Sequence, residues 1–177
     1  MLKSGSTVSV SETIHGMIKP YVKSLLLKYS RVDFLVGVYL QKSLKAPLRL
    51  TRGLGERKKV KLSTKITKNF QTFLRVDEYK DELNGLAAVE LIKMDCPNGT
   101  CLNISKGNEV LSNQVLPSLD MISLPDHEEA DTKGPLHARH MKILGINSIM
   151  MRTCDTDQLV LAIAALAFLL FDEFWLS

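Results

Sequence analysis

The feature that most constrains the fold is a run of thirteen consecutive apolar residues at positions 159–171. A membrane-spanning helix needs about 20 such residues, so we expect residues 158–170 to form a helix buried in the core. The strand-like stretch 146–153 precedes this helix, and residues 171–177 start a second possible strand. A strand, a helix and a strand in succession predict a right-handed crossover above a parallel sheet.

The rest of the chain also alternates between helical and extended patterns. Apolar residues at helical spacing predict a helix over 12–29, with a kink at Pro20, and further helices over 69–92 and 127–145. Residues 31–39 predict a buried strand. The turn-rich stretch 95–106 predicts a hairpin tip, and 107–126 contains two weak strand-like pieces. We therefore predict one α/β domain over residues 1–177 with a mainly parallel sheet.

The charge of the chain is polarised. Residues 42–68 contain ten Lys or Arg against one acid, a local charge of +9, although the whole chain carries only +4. This segment has few core residues and contains Pro47, Gly53 and Gly55, which favours an exposed excursion. A basic stretch of this kind is typical of a surface that contacts a polyanion, and a merely solvated surface is the alternative.

Cysteine content and the first residues bear on the compartment. The three cysteines cannot all pair, and they show no Cys/His spacing of a metal site. No signal-peptide pattern precedes residue 12. We expect a reduced intracellular protein, nuclear or cytoplasmic, that is neither secreted nor bound to a membrane.

Two acidic clusters are candidates for chemistry. The first, Glu128-Glu129-Ala-Asp131, opens the predicted helix 127–145, and the second, Asp155 and Asp157, follows the predicted strand 146–153. Each has a structural explanation, because acids favour the first turn of a helix and Asp is a common N-cap. If the two clusters converge, their hard oxygen ligands suit Mg²⁺ or Mn²⁺, which would clamp a phosphodiester during hydrolysis.

Three separated segments carry a resemblance to a known family. RVDFLVGVY, SLKAPLRLTRG and EEADTK with DTDQLVLA follow one another in the order and spacing of the PIN-like, flap-endonuclease superfamily. The pattern is most similar to a group of uncharacterised, often transposon-associated animal proteins. The resemblance spans roughly residues 10–176.

This resemblance implies an α/β three-layer sandwich with a central, mainly parallel sheet, truncated at both ends, and it implies a nuclease-like site. It makes Glu129, Asp131, Asp155 and Asp157 the catalytic and metal-binding acids, with Glu128 beside them, and Mg²⁺ or Mn²⁺ the cofactor. It places segment 42–68 as an arch over a DNA or RNA strand, contacted without sequence readout. The nucleic-acid-binding candidates are Lys45, Arg49, Arg52, Arg57, Lys58 and Lys59.

The chain also departs from the family pattern. Gly37 stands where the family's strand ends in an aspartate, and the family's first aspartate has no counterpart. Asp33 lies too far back along the strand to replace it. Lys133-Gly134-Pro135 interrupts what is usually an apolar helix turn. We therefore expect an impaired nuclease-like domain that retains nucleic-acid binding, with an active nuclease and a non-nucleic-acid interaction domain as alternatives.

The histidines are a weaker signal. His137 and His140 are three residues apart and so adjacent on a helix, but no further ligand lies at zinc spacing. We expect them, and His127, to lie on the surface.

Overall fold

The computed structural model describes residues 8–36, 59–66, 73, 77–97, 99–123, 130–153 and 156–177. Its helices are α1 (Val10–Thr13), α2 (Lys19–Leu26), α3 (Asp77–Leu91), α4 (Ala130–Ile143) and α5 (Thr156–Leu169). A π-helical segment (Ile14–Ile18) joins α1 to α2, and Leu119–Ile122 forms a 3₁₀ turn. The strands are β1 (Arg31–Phe34), β2 (Cys101–Lys106), β3 (Glu109–Ser112), β4 (Ser148–Met151) and β5 (Glu173–Leu176).

The first helix begins at a capping box. The Ser9 hydroxyl accepts a hydrogen bond from the Glu12 backbone N–H, and the Glu12 carboxylate accepts one from the Ser9 N–H at 2.7 Å. The π-helical segment lies directly before Pro20, which has no N–H for the carbonyl of Gly16. The irregularity predicted at Pro20 is therefore a wider turn within a continuous helical stretch.

β1, β2 and β3 form one mixed sheet. β1 pairs with β2 in parallel, and β2 pairs with β3 antiparallel. Val32, Leu102 and Ile104 point from this sheet into a core shared with α2 and α3. The hairpin tip predicted over 95–106 is wrong for β2, which is the buried central strand of this sheet. The turn residues Pro97 and Gly99 lie before this strand. Burial of the apolar residues in CLNIS favours the extended conformation of β2.

β4 and β5 form a second sheet, separate from the first. They pair in parallel across α5, which confirms the predicted strand–helix–strand unit. The predicted helix end at Gly145 is also confirmed, with φ +81° at that residue. The Gly145 N–H donates to the Lys142 carbonyl and the Ile146 N–H to the Met141 carbonyl, the two bonds of a Schellman motif. The protein is thus a mixed helix–strand fold, and the single three-layer sandwich stays a prediction.

The prediction that 158–170 is buried in the core is wrong for most of the described side chains of α5. Ala162 is buried at 1% exposure, but Val160 is 65% and Phe168 83% exposed. The helix is apolar on both faces, and it packs on α4 through one of them. In the described part of the chain, no helix is long and apolar enough to cross a membrane.

Part of the basic segment packs against the first helix. The backbones of residues 59–66 and 8–11 exchange hydrogen bonds, including Val10 N–H to Thr64 carbonyl and Ile66 N–H to Val8 carbonyl. Val60 and Ile66 are buried there. Within the predicted excursion 42–68, these two β-branched residues thus complete a core cluster, while the lysines at 59, 61 and 65 are exposed. Residues 42–58 and 67–68 lie outside the described residues.

Candidate functional site

A buried polar cluster lies on the face of β1 and β2 opposite the apolar core. Strand alternation sends Val32 into that core and Arg31 and Asp33 to the other face, where Asn103 lies beside Asp33 in the strand register. The side chain of His137, on α4, contacts Asp33 on this face. The cluster therefore brings together three segments that are distant in sequence.

Asp33 is the centre of the cluster. Its Oδ1 accepts hydrogen bonds from Arg31 Nε and from Asn103 Nδ2, each at 2.8 Å. Its Oδ2 accepts from Arg31 Nη2 at 2.7 Å and from His137 Nδ1 at 2.6 Å. A carboxylate offers about four lone-pair sites, so these four bonds use its full capacity.

The hydrogen bonds set the charge of Asp33. Burial alone would raise the pKa of this carboxyl, but the hydrogen bonds from Arg31 and His137 and the positive charge of Arg31 lower it to about 2. Arg31 is equally buried, with 5% of its side chain exposed against 4% for Asp33. The two form a bidentate ion pair removed from water.

The two histidines of α4 have different hydrogen-bond roles. His140 Nε2 lies 2.9 Å from the Pro117 carbonyl and donates to it, so its Nδ1 accepts from Arg31 Nη2 at 3.1 Å. His137 donates through Nδ1 to Asp33, and in the neutral imidazole Nε2 is then an acceptor. Among the described residues, no hydrogen-bond partner reaches His137 Nε2 or Arg31 Nη1, and both atoms are buried.

The surface location predicted for His137 and His140 is therefore wrong. Their exposures are 2% and 1%. Together with Lys133 they follow an i, i+4, i+7 spacing, the stripe that faces the core in an amphipathic helix. That stripe, with Arg31 and Asp33 two residues apart on one strand face, was the sequence signal for the cluster.

Lys133 is buried at the carboxyl end of β1. Its Nζ donates to the carbonyl of Gly107 at 3.0 Å and to the carbonyl of Val36 at 3.3 Å. Burial lowers the pKa of this ammonium, because the charged form loses water. Val36 directly precedes Gly37 in the sequence, and Gly37 itself lies outside the described residues.

A cavity of about 560 Å³ lies between β1 and β4. Its wall includes Arg31, Asp33 and His137 of the cluster. The rest is mainly apolar, with aromatic and methionine side chains that include Tyr21, Tyr29, Phe34, Met141, Met150 and Met151. An apolar cavity with a few converging polar groups is typical of a site for a small molecule.

The structure describes only part of the predicted metal site. Glu128, Glu129 and Asp155 lie outside the described residues, and for Asp131 only its helical position at the start of α4 is described. Asp157 is exposed in the first turn of α5. Among the described side chains, no group of three or more His, Cys, Asp or Glu is placed to hold a metal ion.

The starts of α4 and α5 nevertheless adjoin. A Cβ built on Gly134 would lie 3.3 Å from Met151 Cε and 3.5 Å from Gln158 Nε2. Asp131 precedes Gly134 by about one helical turn, and Asp157 directly precedes Gln158. Asp131 and Asp157 are therefore carried by neighbouring helix starts, and the convergence of the two acidic clusters stays a prediction.

The predicted nucleic-acid-binding residues are mostly outside the described chain. Of the six, Lys59 alone is described, and it is exposed. Lys45, Arg49, Arg52, Arg57 and Lys58 lie outside the described residues, as does Gly37.

Comparison with known proteins finds no matching family model, no matching curated protein and no matching solved structure.

Proposed function

We propose that this chain is an impaired nuclease-like domain of the PIN, flap-endonuclease type that retains nucleic-acid binding through residues 42–68. In this proposal the fold is a three-layer sandwich, and Glu129, Asp131, Asp155 and Asp157 form the remaining half of a site for Mg²⁺ or Mn²⁺. The protein would act inside the cell, in the nucleus or the cytoplasm.

The observation that carries the proposal is the Lys133 ammonium at the carboxyl end of β1. Ligand sites of parallel sheets lie beyond the carboxyl ends of the strands. At that end this chain has Gly37, which offers no carboxylate, and a buried cation bound to the Val36 carbonyl. A fixed positive charge disfavours a divalent cation nearby, so metal binding and hydrolysis would both be weakened.

Asp33 offers no replacement ligand. Its four acceptor positions are occupied by Arg31, Asn103 and His137. To bind a metal, the carboxylate would have to leave a buried ion pair and strand the Arg31 charge, which is a large cost.

A nuclease assay tests the loss of activity. The protein is incubated with a 5′-flap DNA and Mn²⁺, alongside a Gly37→Asp/Lys133→Met variant and the same variant with Asp155→Ala/Asp157→Ala. We expect no cleavage by the natural chain and cleavage by the first variant, abolished in the second. Efficient cleavage by the natural chain that depends on Asp155 and Asp157 would favour the active-nuclease alternative.

A binding assay tests the basic segment. Neutralising Arg57, Lys58 and Lys59 to Gln should weaken DNA binding and reduce its dependence on salt, because fewer counterions are released. The matched control neutralises the same number and kind of cations elsewhere, at the exposed Lys23, Lys28 and Arg139. Equal losses in both variants would overturn the assignment of binding to this segment.

A second candidate function is an interaction domain that binds no nucleic acid. The apolar face of α5 favours it, since Val160, Ile163 and Phe168 are all more than half exposed. Contiguous exposed apolar surface is typical of a protein interface. This candidate is preferred if neither cleavage nor salt-sensitive DNA binding is observed.

A further inference from the structure

We infer that the cavity between β1 and β4 is a binding site for a small planar heterocycle with a lactam edge. A lactam edge is a ring carbonyl next to a ring N–H, as in uracil. The inference does not depend on the proposed nucleic-acid binding, because a free heterocycle can fill the cavity.

The polar part of the argument rests on two buried atoms of the cavity wall. Arg31 Nη1 carries N–H groups and can only donate. In neutral His137 the Nδ1–H donates a hydrogen bond to Asp33, so its Nε2 presents a lone pair and accepts. Neither atom has a partner among the described residues, although a buried polar group is normally hydrogen-bonded. A ligand that supplies one acceptor and one donor would satisfy both atoms.

This pairing of donor and acceptor selects the ligand chemistry. A carboxylate or phosphate only accepts, and it would face the lone pair of His137 Nε2. An ammonium only donates, and it would face Arg31 Nη1. A lactam has both functions side by side on one rigid edge, so it satisfies the pair without losing much conformational freedom.

The apolar part of the wall favours a flat, unsaturated ring. The lining includes the rings of Tyr29 and Phe34 and the thioethers of Met150 and Met151, and both kinds of group make favourable contacts with a flat ring. Arg31 Nη1 and His137 Nε2 are themselves buried, so a side chain must shift before a ligand reaches them. Methionine has three rotatable bonds, so Met150 and Met151 are among the most adaptable side chains of the lining.

The test compares uridine with 3-methyluridine, in which a methyl group replaces the hydrogen of the ring N–H. Binding to the full chain is followed by ¹H–¹⁵N NMR titration. We expect uridine to shift the resonances of β1, α4 and β4. We expect 3-methyluridine to bind at least about tenfold more weakly. Equal affinities of the two nucleosides would overturn the inference. So would no binding of uridine at millimolar concentration, which is the result expected if a single trapped water satisfies both atoms.

The His137→Asn variant tests the acceptor directly. Asn can keep the hydrogen bond to Asp33 from the position of Nδ1, but it removes Nε2. We expect this variant to lose the preference for uridine over 3-methyluridine, and an unchanged preference would contradict the assignment. If the variant does not fold, Ile149→Trp serves instead: it fills the cavity from a half-buried position and should abolish uridine binding.

A further arm identifies the source of the heterocycle. Tri-uridylate that binds more tightly than uridine assigns the cavity to a base within a strand, and equal affinity assigns it to a free molecule. Both results keep the lactam site. Binding of tri-uridylate that survives Ile149→Trp while uridine binding is lost would show that nucleic acid binds elsewhere, which separates this inference from the proposed function.

Discussion

The carboxylate of Asp33 lies 2.6 Å from Nδ1 of His137, a residue 104 positions later in the chain. This bond ties β1 to α4 and occupies the last free acceptor position of Asp33. It also holds the proton of the neutral His137 ring on Nδ1. Whether Nε2 carries a proton or a lone pair therefore depends on Asp33. One contact thus links the packing of the domain to the chemistry of the cavity.

The pH dependence of stability should report this carboxyl. The pKa of Asp33 is lowered from 3.8 to about 2 in the folded protein, so its contribution is present above about pH 4 and is lost as pH falls toward 2. One pKa unit is equivalent to about 1.4 kcal/mol, so this contribution is about 2 kcal/mol. Urea unfolding at pH 7, 4 and 2.5 measures it. Asp33→Asn should flatten this part of the pH profile, and an unchanged profile would contradict the assignment.

The buried ion pair should be costlier to break than to remove. Asp33→Leu leaves the Arg31 guanidinium buried without its carboxylate, and we expect a loss of about 3–5 kcal/mol in the free energy of unfolding. Arg31→Met/Asp33→Leu removes both charges and should be less destabilised than the single variant. Urea unfolding at pH 7 measures the free energy of unfolding of the two variants. Equal losses would show that the stranded charge is not what destabilises Asp33→Leu.

Lys133 should make the protein more stable as the pH rises. Its pKa is lowered by burial, so between the folded and the ordinary value of 10.5 the unfolded chain holds the proton more tightly. Stability due to this group therefore increases as pH rises from the lowered folded pKa toward 10.5. The comparison is between the natural chain and Lys133→Met at pH 7, 9 and 10. The variant should show a smaller increase, and parallel curves would refute the burial effect.

The two sides of α5 should respond differently to substitution. Ala162 is 1% exposed, and Ala162→Leu should cost about 1–3 kcal/mol by overpacking. Val160→Asp, Ile163→Asp and Phe168→Asp lie on exposed positions, and each should change the unfolding free energy by about 0.5 kcal/mol or less. Sedimentation of the triple Asp variant against the natural chain then reports whether this face self-associates. A large destabilisation by the Asp substitutions would mean that the face is covered in the folded protein.

Local patterns predicted the parts of the fold that depend on neighbours in sequence. The β4–α5–β5 unit, the helix end at Gly145 and the first helix all follow from apolar spacing and from residues with special backbone properties. β2 was mistaken for a hairpin tip because Pro97 and Gly99 are strong turn signals, whereas its strand is defined by burial between β1 and β3. Burial is a property of the assembled sheet.

The candidate site divides in the same way. The sequence by itself determined the two acidic clusters, the basic segment and the absence of an acid at Gly37. Only the tertiary structure decided that Arg31, Asp33 and His137 meet, that Lys133 lies at the end of β1, and that α5 is mostly exposed. Polar residues are ordinarily read as surface residues, because burying one is costly unless a partner satisfies it. Here the partners lie up to about a hundred residues away in the sequence, and no spacing pattern within the chain predicts which residues they are.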